Sequence, residues 1–231
     1  MEVTVKMKWM YLACLLAGAA AWSGARACAQ TDVAGSIDGA FSGTSLVGTQ
    51  QATQSVGALL EVRHIFNPLL GFEAAYSYNR ADQAYADTTI NPPCPISPNG
   101  GVVNCSVAPV FISAHEQAIT GDWVLSRKMR SFRPFALAGA GVVFVAPSSG
   151  QASTSYSVNG QNFNNSSYTN STTEFLFVFG IGLDWEFASH FGLRLQDRAN
   201  IYSAPNLNTF STATGDLTYT QEPALGVYYR F

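Results

Sequence analysis

The 231-residue sequence predicts an all-β fold, an eight-stranded antiparallel up-and-down transmembrane β-barrel. Three observations carry this reading. Large apolar residues recur at every second position through eight segments. Short turns and long polar loops alternate between those segments. Charged residues make up only 12% of the chain against an ordinary 47% hydrophobic, whereas a soluble domain carries about 25% charged residues. What is missing is a charged outer face.

The chain opens on an address. Lys6 and Lys8 precede a mostly apolar run from Trp9 to Trp22, and a small-residue stretch ends in Ala27-Cys28-Ala29. Basic start, short apolar middle and A-x-A end are the three parts of a secretory signal peptide. Residues 1–29 are therefore expected to be removed, leaving residues 30–231 as one barrel domain. Cys28 raises a lipoprotein alternative, but Ala25 and Arg26 stand where such a site wants an aliphatic residue and no charge.

The strands follow in order. Asp32 to Phe41 sets Val33, Ile37 and Phe41 against Ser36 and Asp38. Gln54 to Phe66 sets Val56, Ala58, Leu60, Val62 and Phe66 against Gly57, Glu61 and Arg63. Leu70 to Arg80 opposes Leu70, Phe72, Ala74, Tyr76 and Tyr78 to Gly71, Glu73 and Ser77. His115 to Ser126 opposes Ile119, Trp123 and Leu125 to Glu116, Thr120 and Asp122. Arg133 to Ala146 is apolar on both faces; Phe135, Leu137, Val143 and Val145 are expected outward. Glu174 to Phe187 is the clearest case, with Phe175, Phe177, Phe179, Ile181, Leu183, Trp185 and Phe187 on one face. Phe191 to Ser203 sets Phe191, Leu193, Leu195 and Ile201 against Arg194, Gln196, Arg198 and Asn200, while Asp197 and Ala199 interrupt its apolar face. The last strand sets Leu225, Val227, Tyr229 and Phe231 against Ala224, Gly226, Tyr228 and Arg230. A period of two on a strand sends alternate side chains to opposite faces.

Short turns join strands around Asn67-Pro68, Arg127 to Arg130, and Ala188 to His190. The long connections, 42–53, 81–114, 147–173 and 204–217, are rich in Ser, Thr, Asn, Gly and Pro, as flexible water-exposed loops are. The second of them holds Cys94 and Cys105, the only cysteines after the signal segment. In an exported chain these two most simply form a disulfide across the loop. A metal site would need further ligands, and no His or acidic residue lies between them.

A soluble barrel alternates too, so the direction of burial decides the class. Here the second face is Gly, Ala and Ser with a few acids and arginines, a mixture that suits a narrow interior and not a solvated exterior. The first face is large, aromatic and continuous, as lipid contact requires. Tyr76, Tyr78, Trp123, Trp185, Tyr202 and Tyr229 stand near strand ends, where interfacial girdles belong. The formal charge of −3 removes the electrostatic basis for binding nucleic acid.

With its C-terminal Leu225, Val227, Tyr229 and Phe231 and its segment Pro134 to Gly141, the chain resembles the small eight-stranded outer-membrane barrels, the group of the OmpA membrane domain and OmpX. The resemblance implies the bacterial outer membrane, short periplasmic turns and long extracellular loops. It also implies contact with outer-membrane lipid and lipopolysaccharide. The four terminal residues just named would form the signal read by the barrel-assembly machinery. No segment corresponds to the periplasmic peptidoglycan-binding domain of full-length OmpA.

The inward face collects Asp38, Glu61, Arg63, Glu73, Glu116, Asp122, Asp184, Glu186, Arg194, Arg198, Glu222 and Arg230. Such a set is either an ion-pair network that satisfies buried charge or a narrow, cation-preferring path. A structural or surface-interaction role through the long loops is the leading expectation, with the pore second. A lipid A-modifying enzyme would need a His with Ser and an acid near the outer leaflet. Only His115, beside Ser113 and Glu116, is placed for that, and adjacent strand residues point to opposite faces. His64 and His190 lie at the short-turn end. The His-x-Ser-Asn pattern of the lipid A deacylases, phosphate loops, zinc spacings and nucleotide fingerprints are absent, so no catalysis and no cofactor are expected.

Overall fold

The computed structural model describes residues 30–42, 53–85, 105–107, 110–158, 161–207 and 217–231. Residues 1–29, expected to be a signal peptide, and Cys94 lie outside the described residues. Eight long strands close into a barrel: β1 Gln30–Ser42, β2 Thr53–Ile65, β3 Leu70–Tyr85, β5 Val110–Ser126, β6 Phe132–Pro147, β9 Thr172–Glu186, β10 Phe191–Ser203 and β11 Leu217–Arg230. Three shorter ones, β4 Cys105–Val107, β7 Gln151–Val158 and β8 Gln161–Tyr168, form a second antiparallel sheet in the order β4-β7-β8.

Every barrel strand pairs antiparallel with its chain neighbour in the barrel, and β11 closes on β1. Cross-strand partners lead from Asp32 through Arg63, Glu73, Asp122, Gly139, Val178, Asn200 and Thr220 back to β1 at Ser42, ten residues beyond Asp32. That stagger tilts the strands about the barrel axis. Closure leaves no sheet edge, so the backbone can be paired without water.

The three short turns share one end with Gln30 and Phe231. In the first, Asn67 Oδ1 accepts from the backbone N–H of Leu69 and Leu70 at 3.0 and 2.8 Å. In the second, Arg130 takes a left-handed φ of 56° and Met129 bridges Phe132. At the other end the strands outrun expectation, since β3 and β5 stay paired as far as Tyr85 and Val110. The connection expected as a flexible loop over 147–173 instead contains the β7–β8 hairpin. The residues between those strands are Asn159 and Gly160, the dipeptide most favoured in two-residue hairpin loops.

The apolar face points outward. Val56 is 74% exposed and Ile37 70%, and the whole series from Val33 to Phe231 follows suit. The expectation for β6 is overturned: Phe135, Leu137, Val143 and Val145 are buried inside the barrel, and Ala136, Ala138 and Phe144 face out. Glycines on β9 give the reason. Phe135 pairs with Gly182 and Leu137 with Gly180, and a Cβ on Gly180 would stand 3.1 Å from Leu137. The two large side chains fill space that their partners leave open. Tyr202 is also corrected. It is buried in the lumen, within 3.4 Å of Thr220 Oγ1, and belongs to no girdle.

Candidate functional site

The lumen is the only region where the described charges converge. Asp32, Asp38, Glu61, Arg63, Glu73, Glu116, Asp122, Asp184, Arg194, Arg198, Glu222 and Arg230 are all buried there, and Glu186 is half-buried at the short-turn rim. Asp32 and Arg133 had not been singled out from the sequence. Both share the inward parity of their strands, so the signal was the period of two itself.

Opposite charges face each other across the strand register: Asp32 with Arg230 and Arg63, Arg63 with Glu73, and Asp184 with Arg194 and Arg133. Such cross-strand pairs stabilise a sheet locally. In the short-turn half they fuse into one cluster. Arg194 reaches Asp32 at 2.8 Å, Asp184 at 2.8 Å and Glu61 at 3.5 Å. Arg63 holds Glu73 at 2.6 Å and Asp184 at 3.3 Å. Arg198 holds Glu73 at 3.0 Å and Asp122 at 2.9 Å, and donates to Thr120 Oγ1. The side chains of Arg63, Arg194, Asp32, Glu61, Glu73, Asp122 and Asp184 are wholly inaccessible to solvent.

Two aromatic rings complete this layer. The Arg63 guanidinium lies 4.0 Å over Phe135, and Tyr228 lies under both Arg194 and Arg230 at 5.4 and 5.1 Å. Guanidinium over a ring is favourable, more so when desolvated. Below it, Arg230 pairs with Glu186, which also takes Lys128 at 2.6 Å. Arg133 donates to Gln30 at 2.9 Å.

The long-loop half differs. Arg198 is the cross-strand partner of Glu222, yet its guanidinium turns toward Glu73 and Asp122. Glu222 takes the Asn79 amide at 3.1 Å and has Asn200 as a second hydrogen-bond partner. Neither carboxylate oxygen of Asp38 has a hydrogen-bond partner. Glu116 sits higher still, at the edge of a cavity shared with Asn79, Asn200 and Glu222. Apart from Arg198, whose head group turns away, no Lys or Arg among the described residues is buried in this half. The wall opposite is apolar, with Val143, Val145, Leu176 and Leu207 in one cluster.

His115 does not join a catalytic group. Its Nδ1 lies 2.7 Å from the Tyr78 hydroxyl and its ring stacks on that tyrosine, on the outer face. Glu116 points into the lumen. His64 meets Thr31 Oγ1 at 2.8 Å, and His190 stacks on Tyr229 at the short-turn rim. Among the described residues no group of His, Cys, Asp and Glu could hold a metal ion.

A closed eight-stranded barrel with an apolar aromatic exterior and a charged, filled interior defines a transmembrane β-barrel protein. Over residues 11–231 the chain matches the family model of the outer membrane protein beta-barrel domain, and it belongs to that family. Its place is the bacterial outer membrane, with short periplasmic turns and long extracellular loops. Among solved structures it is similar to the neisserial surface protein NspA, at 13% identity and TM-score 0.51 over 87% of this chain and 97% of that one. It is also similar to the outer membrane protein OprG from Pseudomonas aeruginosa, at 11% identity and TM-score 0.50 over 88% and 96%. At these identities the likeness concerns the fold alone. Comparison with curated protein sequences finds no match.

Proposed function

We propose that the protein is a closed outer-membrane barrel whose work is done by its extracellular loops, as a surface-interaction module. The observation that carries this is the Arg63–Arg194–Arg198 cluster, which fills the periplasmic half of the lumen with side chains that solvent does not reach. Eight strands leave an interior just wide enough for such filling. The extracellular connections, by contrast, build a sheet of their own from two loops. Residues 1–29 would direct export, a Cys94–Cys105 disulfide would brace the loop that carries β4, and lipopolysaccharide would surround the outer rim. Leu225, Val227, Tyr229 and Phe231 would address the chain to the assembly machinery. Catalysis is not part of this reading, because His115 and Glu116 face opposite sides of the wall.

Planar-bilayer recording tests it together with adhesion. The intact protein is expected to be electrically silent, and deleting residues 151–168 is expected to abolish binding of nanodisc-held barrel to arrayed glycans and matrix proteins. A stable cation current from the intact protein would favour the second reading, a narrow pore. The acid-lined extracellular half, with Asp38, Glu116 and Glu222, supports that alternative, but ions would have to part the arginine cluster.

A further inference from the structure

The lipid-facing wall is mostly apolar; apart from the Tyr76–Gln117 and Tyr78–His115 contacts on β3 and β5, its polar residues gather in one strip across β10, β11 and β1. There Asp197, Ala199, Gln221, Pro223 and Gly39 occupy the outer face between Leu195, Leu225 and Ile37, which are 57%, 58% and 70% exposed. Asp197 is the middle residue of β10, so its carboxylate stands near mid-depth. An ionisable group at that depth is costly and calls for a partner. Gln221 supplies part of one, its amide donating to Asp197 Oδ2 at 2.6 Å. The other oxygen, Oδ1, is enclosed by the barrel wall and has no hydrogen-bond partner, so Oδ2 is the atom open to a further donor.

The backbone is unusual at the same place. The β1–β11 pairs run from Asp32↔Arg230 to Asp38↔Ala224, lapse across Gly39 and Ala40, and resume at Phe41↔Gln221. Pro223, opposite the lapse, has no N–H to donate. The strip is therefore polar, low in side-chain bulk and incompletely paired, in a solvent of hydrocarbon that offers no hydrogen bonds.

We propose that this strip is the contact surface of a homodimer in the outer membrane, with β10, β11 and β1 of two copies face to face. The strip carries its own complement. Gln221 keeps a second amide N–H, and a carboxylate accepts more than two bonds. Donor and acceptor lie at one height, since the Gln221 amide already touches Asp197. Both copies insert in the same orientation, so a two-fold axis along the membrane normal preserves that height. Each spare N–H then meets Oδ2 of the other copy's Asp197, which so far accepts one bond, the reciprocal pattern an isologous interface requires. Ala199 and Gly39 let the two walls approach closely, as small residues do between membrane helices.

Site-directed crosslinking of the full chain in native outer membranes tests this. An A199C variant is expected to give a dimer band at least about tenfold stronger than A138C, which places its cysteine on β6, away from the strip. Adding D197L and Q221L to A199C is expected to reduce that band by about tenfold while the unboiled protein still migrates as a folded barrel. Equal crosslinking at the two positions, or a band that survives both substitutions, overturns the proposal. Should the leucine variants fail to fold, native mass spectrometry of the unmodified protein from lipid nanodiscs decides: dimer mass supports the interface, and monomer alone overturns it.

Discussion

The two halves of the lumen are built from the same strands by the same alternation, yet they solve burial differently. In the periplasmic half, Arg63, Arg194 and Arg198 each hold two or more carboxylates within 4 Å. In the extracellular half, Asp38 and Glu222 make no ion pair within that distance among the described residues, and an apolar cluster fills the far wall. The first half is a cross-braced plug. The second is a vestibule. Charge count alone does not produce order in a narrow interior; reciprocal placement of opposite charges does.

Arg194→Met should break the comparison hardest. Removing this guanidinium takes the nearest counter-charge from buried Asp32, Asp184 and Glu61 and leaves them only longer pairs to Arg230, Arg63 and Arg198, a loss of about 3–5 kcal/mol. The denaturant midpoint in detergent micelles measures it. A change below about 1 kcal/mol would mean that the cluster is not what holds the plug together.

Deleting Phe231 acts at the periplasmic rim, outside both halves. Its backbone N–H donates to Thr31 at 3.0 Å and its ring sits edge-on to Tyr229 at 5.0 Å. The expected loss in micelles is about 1.5–3 kcal/mol by apolar area, with a much larger fall in the amount inserted in cells. Equal, modest losses in both assays would leave the assembly-signal reading without support.

Phe135→Leu sharpens the picture of the plug. It removes the ring beneath Arg63 but keeps most of the volume, so about 2 kcal/mol should be lost. An unchanged midpoint would show that the ring is filler only. Glu222→Gln is the smallest expected effect and the test of the vestibule. It deletes a buried charge while Asn79 keeps its acceptor, so stability should change by less than about 1 kcal/mol, or rise. A loss as large as that of Arg194→Met would erase the distinction between the halves.

Much of the site was legible because burial inside a small barrel obeys strand parity. Glu61, Arg63, Glu73, Asp184, Arg194 and Arg198 were assigned inward from that rule and are buried in the lumen. Where both faces are apolar, parity gives no direction. Phe135 and Leu137 were read outward for that reason, and only the glycines facing them across β9 explain why they turn in. Tyr202 failed differently, because its residue type suggested an interface while its parity, shared with Arg198 and Asn200, pointed inward. The β7–β8 hairpin failed by composition: a Ser/Thr/Asn-rich stretch looked like loop, although Asn159-Gly160 sat at its centre.

By itself the sequence determined the strands, their two faces and the membrane that the apolar face requires. Those follow from local periodicity, which every segment carries within itself. Which charges meet was decided only by tertiary structure. A stagger of ten residues around the barrel sets the height of each side chain, so Arg198 turns from its neighbour Glu222 to Glu73 and Asp122 across the lumen. Periodicity fixes the face on which a residue lies, but closure of the sheet fixes what it finds there.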